Sequence, residues 1–578
     1  MADHCEENMD ATENFFNSDD SIASDSGSEY LGNFIVVFCL LDFMDVIVPE
    51  NSDADCISDD ESQDNAPHSD SINSPIFLPR KPCGFQMPKN ARSGNKGSEP
   101  RAFFLFVFTP QLLESIVSET NRYSIQRRAR LDVSSQIPTG QVAPFAPVDV
   151  VDMEVFIGLV LSMGILKLPA IRDYWSSDEL YNGGSLSSFM SRNRFEEIFW
   201  NLHLCDNTSM PKRGEEGFDR LFKVRGYLNS LCSSFQRCFR PFQRVAVDEM
   251  MIPFKGRSSL KQYMPMKPVK RGFKIWAACD CNTSYLFNFI VYEGKGSIVN
   301  DDLGLGGSVV MHLMEEYLGE NRIVYSDNYF TSVPLCNSLM DNATHCCGTT
   351  RHSRKDFPAV AKVVADKKAG IRKAQKGTIR MEPVGSANAL GWMDKRDVHM
   401  LSTFHGDETV SIDRRQSDGT EKREQIPQVI REYNKYMRAV DIMDQRRGSY
   451  ECTRKSKRWW LRFFWWGLDT VVINSWLMYN HFNENEYLSQ LDFRKNVVRA
   501  MLEQNPIQKS PVGRPRKQPR TSLPARLTER HFISLGSKRR NCVQCERNGN
   551  RTQPKYYCPT CNVGLCVDKC FELWHTKL

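Results

Sequence analysis

The first 79 residues contain no lysine or arginine, although they hold 19 of the 70 acidic residues of this 578-residue chain. Without a basic segment, this stretch does not resemble a secretory signal, and we expect none. Its acidic, Ser- and Asn-rich composition is typical of a solvated tail, so we predict disorder over residues 1–100. The remainder carries 75 basic against 51 acidic residues, a net charge of +24. Such a basic body favours a polyanionic partner, above all nucleic acid.

Long apolar runs and internal repeats of useful length are also lacking. The strongest apolar stretch, residues 33–48, is interrupted by Asp42 and Asp45 and is too short to span a bilayer. We therefore expect no membrane association, and interpret the stretch as an interaction segment or an error of gene prediction. Of the 19 cysteines, thirteen are scattered, as is usual for reduced thiols of an intracellular protein.

The spacing of the apolar residues changes along the chain, whose length predicts several domains. Over residues 101–243 they recur at three- and four-residue intervals, as in DMEVFIGLVLSMGIL, which predicts a helical domain. Over residues 244–352, the segments RVAVDEMMIPF, GFKIWAACD and SYLFNFIVYEG predict strands, followed by helix, strand, helix and strand. This order is that of a ribonuclease-H-like mixed sheet, so we predict a multidomain α+β protein.

The second half of the chain divides by composition into further segments. A mixed region spans 353–425, and a helix at about 427–447 is predicted to rejoin the sheet domain in 426–457. Tryptophan-rich helices fill 458–505, a basic linker spans 506–527, and a cysteine-rich domain occupies 528–578. We interpret four tryptophans as helix-packing core rather than base-stacking platforms: Trp459, Trp460, Trp465 and Trp466.

Aspartates stand at corresponding places of this predicted topology. Asp248 lies in the first strand, Asp327 follows the fourth, and Asp441 and Asp444 share one face of the later helix. Because the first and fourth strands of such a sheet are neighbours, these acids can converge. Phosphodiester cleavage uses two metals about 4 Å apart, for which carboxylates are suitable ligands. The alternative is that each aspartate is an ordinary turn or cap residue. Glu249 is expected on the opposite strand face and not as a ligand.

Three longer blocks carry a family resemblance. VDEMMIPFKGRSSLKQYMPMKPVKRGFKIW, YSDNYFTSVPL and YNKYMRAVDIMDQ resemble, in this order, the signature blocks of piggyBac transposases. The resemblance covers about residues 100–505 and the cysteine-rich end. It implies a catalytic triad of Asp248, Asp327 and Asp441 that holds two Mg²⁺ or Mn²⁺ ions, with Asp444 as a further acid near the metals.

The same resemblance implies an activity and a domain plan. It implies hairpin-forming excision at terminal inverted repeats, insertion at TTAA, and a homodimer on double-stranded DNA. Region 353–425 would be an insertion domain, and 101–243 with 458–505 an all-α dimerisation and DNA-binding domain. The alternatives are a domesticated relative that binds DNA or chromatin without cutting, and a nuclease acting on RNA–DNA hybrids.

The cysteine-rich end has the ligand spacing of zinc sites. Eight soft ligands, which suffice for two structural tetrahedral zinc ions, are His531, Cys542, Cys545, Cys558, Cys561, Cys566, Cys570 and His575. The spacing suggests a cross-brace, as in RING- or PHD-like modules, but leaves the pairing of ligands open. The resemblance assigns this domain to recognition of the transposon end. A protein or chromatin partner, for this domain or for the acidic tail, is nearly as compatible with the residues.

Basic residues supply candidate DNA contacts and import signals. Segment GRPRK resembles an AT-hook core with Arg514, Arg516 and Lys517, and equally suits a linker or nuclear import signal. Two groups flank the acidic segments and are predicted to contact phosphates, unless they are only solvated faces. These groups are Lys267, Lys270, Arg271 and Lys274, and Arg446, Arg447, Arg454, Lys455, Lys457 and Arg458. With a second candidate signal at Lys538, Arg539 and Arg540, we expect the nucleus as location.

Overall fold

The computed structural model describes residues 74–87, 99–133, 145–504 and 530–576, apart from short gaps. The gaps are 177, 179–180, 182–185, 266, 295–301, 366–369, 416–419 and 455. The chain divides into two compact units, Met1–Pro506 and Ile507–Leu578. The apolar stretch at 33–48, the basic linker, and Lys455, Arg514, Arg516 and Lys517 lie outside the described residues.

The first unit contains helices before, within and after a large sheet. Those before it are α1 (Pro100–Val107), α2 (Pro110–Val133), α3 (Val150–Ile165), α4 (Arg192–Asn201) and α5 (Phe222–Cys238). Those within or after it are α6 (Gly304–Met314), α7 (Val333–Asp341), α8 (Gln428–Tyr436), α9 (Ala439–Ser449), α10 (Trp460–Phe482) and α11 (Gln490–Leu502). Among the described residues, no single helix is long and apolar enough to cross a membrane; α1 and α2 meet the length and composition of a span only as a pair, across a bend of 69°.

Helix α10 is the centre of the helical body because it is apolar on every side. It packs against α1, α5 and α11. Trp460, Trp465 and Trp466 are buried, as the core interpretation predicts, and Trp459 is half-buried against Phe273. The fully buried Asp469 of α10 pairs with Arg494 of α11 at 2.7 Å, so each charge has a partner inside the core.

The strands form one mixed sheet of nine and several smaller pairings. The strands are β1 (Gly84–Phe85), β2 (Phe239–Arg240), β3 (Arg244–Pro253), β4 (Gln262–Tyr263), β5 (Arg271–Asp280), β6 (Leu286–Val291), β7 (Ile323–Ser326), β8 (His345–Thr349), β9 (Ile379–Val384), β10 (Ala387–Met393), β11 (Asp397–Ser402), β12 (Thr409–Arg415) and β13 (Glu421–Pro427). The order in the large sheet is β4-β5-β3-β7-β8-β11-β10-β9, and β6 pairs with β5.

Two parallel pairings fix the centre of this sheet. β3 pairs in parallel with β7, and β7 in parallel with β8, while the other pairings are antiparallel. Parallel neighbours need a crossover, and here helix α6 precedes β7 and helix α7 connects β7 to β8. The register pairs Val247 with Ser326, so the residues that follow, Asp248 and Asp327, occupy adjacent positions.

In its second half, this unit departs from the sequence predictions in two places. The helix predicted at about 427–447 is interrupted at Met437 and Arg438 and forms α8 and α9. Within the mixed region 353–425, strands β9, β10 and β11 continue the main sheet from β8. The strand edge at β8 is therefore covered by these strands instead of being left open.

The predicted tail over residues 1–100 was too long, because residues 74–87 pack on the body. β1 pairs with β2, and the ring of Phe85 is buried against Phe239 and Tyr285. Further along, the buried carboxylate of Glu320 pairs with Arg322 at 2.7 Å and also with Arg240. Its backbone carbonyl accepts a hydrogen bond from the amide of Leu78. Residues 74–87 contain no Asp or Glu, and the ring of Phe85 helps to anchor them where the average composition of residues 1–100 predicted disorder.

The second unit is small and is built around cysteines. It contains β14 (Ser534–Leu535), α12 (Val543–Arg547), β15 (Tyr556–Cys558), β16 (Val563–Gly564) and α13 (Lys569–Thr576). β14, β15 and β16 form a three-stranded sheet. Its buried cluster consists of Val543, Val563, Leu565, Trp574 and three cysteines, namely Cys542, Cys558 and Cys561. Hydrophobic burial of this extent is small for an independently folded unit.

Candidate active site and zinc centres

The predicted acids come from three elements that lie side by side. Asp248 is in the middle of β3, Asp327 directly follows β7, and Asp441 lies in the first turn of α9, which packs against β3 and β5. The pKa of Asp248 is raised by the charges of both Asp327 and Asp441, so the three carboxylates lie within electrostatic reach of one another. The sequence prediction that distant aspartates meet at adjacent strands agrees with this arrangement.

Each acid is held in place by local backbone contacts or helix geometry. The amide of Glu249 donates to Asp248 Oδ1 at 2.7 Å, and the amide of Tyr329 donates to Asp327 Oδ1 at 2.9 Å. The second contact is an Asx turn, which an aspartate favours directly after a strand. Asp441 is oriented by its position at the start of α9, where the helix dipole stabilises a negative charge.

Glu249 belongs to the same charged cluster, contrary to its expected separation on the other strand face. Lys267 Nζ lies 3.4 Å from Glu249 Oε1 and 3.9 Å from Asp248 Oδ2, and thus connects the two neighbouring acids. Glu249 also raises the pKa of Asp327 and of Asp441. Strand alternation did not predict this contact, because Lys267 lies in the loop between β4 and β5 and approaches both side chains. In the sequence, Lys267 after β4 was the residue that could have indicated a partner for Glu249.

Burial and mutual repulsion disfavour the ionised form of these acids. Burial, together with Glu249, Asp327 and Asp441, raises the pKa of Asp248 from 3.8 to about 8, although Lys267 opposes the shift. Burial and Glu249 raise the pKa of Asp327, and burial and Asp444 raise that of Asp441. Such a cluster is unfavourable when ionised unless a cation lies among the carboxylates.

Asp444, the further predicted acid, has a protein partner. Its Oδ1 accepts hydrogen bonds from Arg447 Nη2 at 2.8 Å and Nε at 3.1 Å. The side chain of Asp444 remains one third exposed, and its charge acts on Asp441 one helical turn away. Asp444 therefore contributes to the field at the cluster while being held by Arg447.

Several predicted DNA contacts instead bind within the protein. Lys274 is buried, 3.8 Å from Glu249 Oε2 and over the ring of Tyr329, so it does not line an open surface. Arg447 is buried against Asp444, and Arg446 donates to the carbonyl of Thr283. The prediction of phosphate contacts is wrong for Lys274 and Arg447, whose charges are needed by neighbouring carboxylates.

Two further arginines of the predicted basic group hold the helical body together. Arg454 donates to the carbonyls of Met163 and Leu168, and Arg458 donates to that of Phe199 at 2.8 Å. Burial lowers the pKa of Arg458 to about 10. Among the described members of the two groups, Lys270, Arg271 and Lys457 have exposed side chains. The sequence alone does not show whether a basic side chain will bind backbone carbonyls or face solvent.

The eight predicted zinc ligands meet in two groups of four. One group is Cys542, Cys545, Cys566 and Cys570, and the other is His531, Cys558, Cys561 and His575, with the ligand atoms of each group within 4.8 Å of one another. The two sets interleave along the chain, which resolves the pairing that the spacing left open. Interleaving is the property of a cross-brace, in which each ion ties together distant parts of a short segment.

The distances between ligand atoms agree with tetrahedral zinc coordination. Cys545 Sγ lies 3.8 Å from Cys566 Sγ and 3.6 Å from Cys570 Sγ. Sulfurs at the corners of a tetrahedron around zinc, with bonds of about 2.3 Å, are about 3.8 Å apart. Burial and the neighbouring thiols raise the pKa of Cys566 to about 12 and of Cys570 to about 11, whereas hydrogen bonds, first that of Thr552, lower the pKa of Cys545. A cation among the four sulfurs would stabilise their thiolate forms.

Comparisons with known proteins identify relatives of both units. A family model described as Transposase IS4 matches residues 99–476, and one described as a DDE_Tnp_1-like zinc finger matches residues 527–576. The human PiggyBac transposable element-derived protein 3 is 26% identical over 567 residues, covering 92% of this chain and 89% of that protein. The human PiggyBac transposable element-derived protein 2 is 25% identical over 454 residues, covering 77% of this chain and 72% of that protein.

A solved structure has a similar fold. It is a piggyBac transposase in a synaptic complex with hairpin DNA, determined by cryo-electron microscopy. The match has a TM-score of 0.62 and 23% sequence identity, and covers 84% of this chain and 99% of that one. The arrangement of mixed sheet and helices is therefore shared.

Proposed function

Because the chain belongs to the piggyBac transposase family, we propose that it is a DNA transposase that cleaves DNA at terminal inverted repeats and inserts it at TTAA. The observation that carries this proposal is the half-buried group of acids in β3, directly after β7 and in α9. In the proposal, the mixed sheet is a ribonuclease-H-like catalytic core. Asp248, Asp327 and Asp441 are the catalytic triad.

The acid group is chemically suited to Mg²⁺ or Mn²⁺. It offers carboxylate oxygens, the donors these hard ions prefer, and their raised pKa values indicate that cationic charge is needed. Two such ions, when bound, activate an attacking water or 3′-hydroxyl and stabilise charge on the leaving oxygen. Asp248 and Asp327 would hold them from the sheet, and Asp441 from the helix. Asp444, which Arg447 orients, would add negative charge beside the metal ions.

Lys267 and Lys274 have a supporting role in this proposal. Both lie beside Glu249, and Lys267 also reaches Asp248, so they partly balance the acids before any ion is present. Glu249 thereby positions the two lysines next to the proposed triad. Of the predicted DNA contacts that the structure describes, Lys270, Arg271 and Lys457 have the exposed side chains that suit contact with phosphates.

The partners and location of the proposed enzyme follow from the same chemistry. We propose double-stranded DNA as substrate, a homodimer as the acting form, and the nucleus as its location. Residues 353–425 would act as an insertion domain, and the helices of 101–243 and 458–505 would carry dimer and DNA contacts. The zinc domain would recognise the transposon end.

A second candidate is a transposase-derived protein that binds DNA or chromatin and no longer cuts it. It is favoured by the human relatives, whose names describe them as derived from transposable elements. The complete acid set favours the first candidate, because a pure binding protein does not need half-buried carboxylates that repel one another.

Cleavage of a labelled duplex separates the two candidates. The purified chain with Mg²⁺ is incubated with a duplex that carries terminal inverted repeats beside TTAA. Hairpinned ends support the transposase, and retarded but uncut DNA supports the binding protein. An RNA–DNA hybrid in a parallel reaction tests for a nuclease, whose degradation of the hybrid would contradict both.

The raised pKa of Asp248 predicts a pH-dependent stability in the magnesium-free, zinc-loaded protein. In the unfolded chain this carboxyl ionises near 3.8, whereas in the folded protein it keeps its proton up to about 8. Between these values the folded state binds more protons, so the free energy of unfolding falls as the pH rises from about 4 to about 8. Urea unfolding at pH 5 and pH 8 measures the difference, and added Mg²⁺ is expected to reduce it.

A matched pair of variants assigns that pH dependence. Asp248→Asn cannot ionise, so its difference in stability between pH 5 and pH 8 should shrink. Asp341→Asn, at the exposed end of α7, should keep the native difference. An unchanged difference in Asp248→Asn would show that other groups cause it.

A further inference from the structure

Two histidines and an aspartate, none of them among the proposed catalytic acids or the ligands of the cysteine-rich unit, converge beside the end of β8. Asp397 and His399 lie two residues apart at the start of β11 and therefore point to the same face of that strand. His352 lies in the segment that leaves β8. The amide of Thr350 donates to the carbonyl of His399 at 2.8 Å, which holds this segment against β11.

The separations of the three side chains suit a shared ion better than direct hydrogen bonds. Asp397 Oδ2 lies 3.3 Å from His399 Nδ1 and 3.7 Å from His352 Nδ1, and one ligand atom from each residue lies within 4.8 Å of the others. Nitrogen–oxygen hydrogen bonds are shorter, about 2.7–3.2 Å. Corners of a zinc tetrahedron with bonds of about 2.0–2.1 Å are about 3.3–3.4 Å apart.

The surroundings also resemble those of a metal site with one open side. The His399 side chain is almost fully buried and contacts Phe357, whereas His352 and Asp397 are partly exposed. The Val363 amide donates a long hydrogen bond to His399 Nε2 at 3.4 Å, and His399 Nδ1 is the ring nitrogen that faces Asp397.

We propose that His352, Asp397 and His399 bind a zinc ion, a third one per chain beside the two of the cysteine-rich unit. Two imidazoles and one carboxylate form a donor set that zinc accepts, and the exposed side leaves the fourth position to water. The proposal stands on this cluster alone and does not depend on the proposed transposase activity.

Such an ion would stiffen the segment that supports the loop after Asp327. Arg351 Nε donates to Asn328 Oδ1 at 3.3 Å, and Arg354 donates to the carbonyl of Tyr329 at 3.1 Å. Both arginines flank His352 in sequence. Zinc would therefore connect β11, through His352, to the loop that carries one of the proposed catalytic acids.

Metal content of the full, tag-free chain tests the proposal. The protein is dialysed against Zn²⁺ with excess Mg²⁺ and freed of loosely bound ions. Its zinc content per chain is then measured by inductively coupled plasma mass spectrometry. We expect three zinc ions per chain in the native protein and two in His352→Ala and Asp397→Asn. Both substituted side chains are partly exposed, so folding should persist, which circular dichroism verifies.

Two controls identify the source of a third ion. His312→Ala removes another exposed histidine, whose Nδ1 also lies 3.7 Å from a carboxylate oxygen, that of Glu315, and it should still bind three. Asp248→Asn should likewise keep three. Two ions in the native chain, or three in both His352→Ala and Asp397→Asn, would overturn the proposal. If only Asp248→Asn loses the third ion, that ion lies among the acids. This result would also overturn the proposal.

Discussion

Asp248→Asn and Asp327→Asn are each expected to reduce DNA cleavage by about three orders of magnitude or more, corresponding to a loss of about 4 kcal/mol of transition-state stabilisation. Replacing a carboxylate by an amide keeps the size of the side chain but removes a charged ligand from the proposed metal pocket. The amide also removes the repulsion among the buried acids. The fold should therefore persist, and in the absence of Mg²⁺ it should become more stable at pH 8.

The measurement is the rate of cleavage of an end-labelled terminal repeat, run beside a DNA retardation assay. Binding should change little, because phosphate contacts of exposed basic residues lie outside the substituted group. Asp341→Asn, an equivalent change at an exposed site, should cleave at the native rate. Cleavage retained in Asp248→Asn or Asp327→Asn would remove the triad assignment, whereas loss of binding as well would indicate a folding defect.

The position of the acids was predictable because it depends on strand order. Asp248 within a buried strand and Asp327 after another become neighbours once the two strands pair in parallel, and the apolar pattern identifies both strands. The helix that carries Asp441 was equally visible, although its interruption at Met437 and Arg438 was not. No proline or glycine marks that break in the sequence.

The roles of the basic residues could not be predicted, since they depend on which groups the fold brings near each cation. In the sequence, Arg447 and Arg458 stand in basic segments like exposed Lys457. In the structure, Arg447 binds Asp444 and Arg458 binds the carbonyl of Phe199. Similarly, alternation along β3 separates Glu249 from Asp248 and cannot show that Lys267 from the next loop contacts Glu249. Contacts of long side chains are set by tertiary structure.

The zinc-binding unit shows a different limit of prediction. Spacing identified eight ligands, because close pairs of cysteines are rarely without a metal. It could not assign them to two ions, since several pairings satisfy the same spacing. The structure interleaves the two sets, so that His531 and His575, 44 positions apart in the sequence, share one site.

Loss of either zinc ion is expected to unfold the second unit while leaving the first intact. Apart from the cysteines, the buried cluster of this unit consists of Val543, Val563, Leu565 and Trp574, which is too little to offset the entropy of ordering the segment. Binding of a structural zinc contributes about 10–16 kcal/mol in comparable modules. Cys542→Ser and Cys558→Ser each remove one ligand, from different ions.

Hydrogen exchange followed by mass spectrometry of the full chain resolves the two units. In either variant, backbone amides of residues 530–576 should lose their protection, whereas those of residues 99–504 should exchange at native rates. Val567→Ala, at an exposed position of the same unit, should change neither. Because the sets interleave, losing one ion releases segments that also carry ligands of the other, so both variants should unfold the unit to the same extent. Protection that survives in one variant but not in the other would show that a single ion suffices, and that the two sites fold independently.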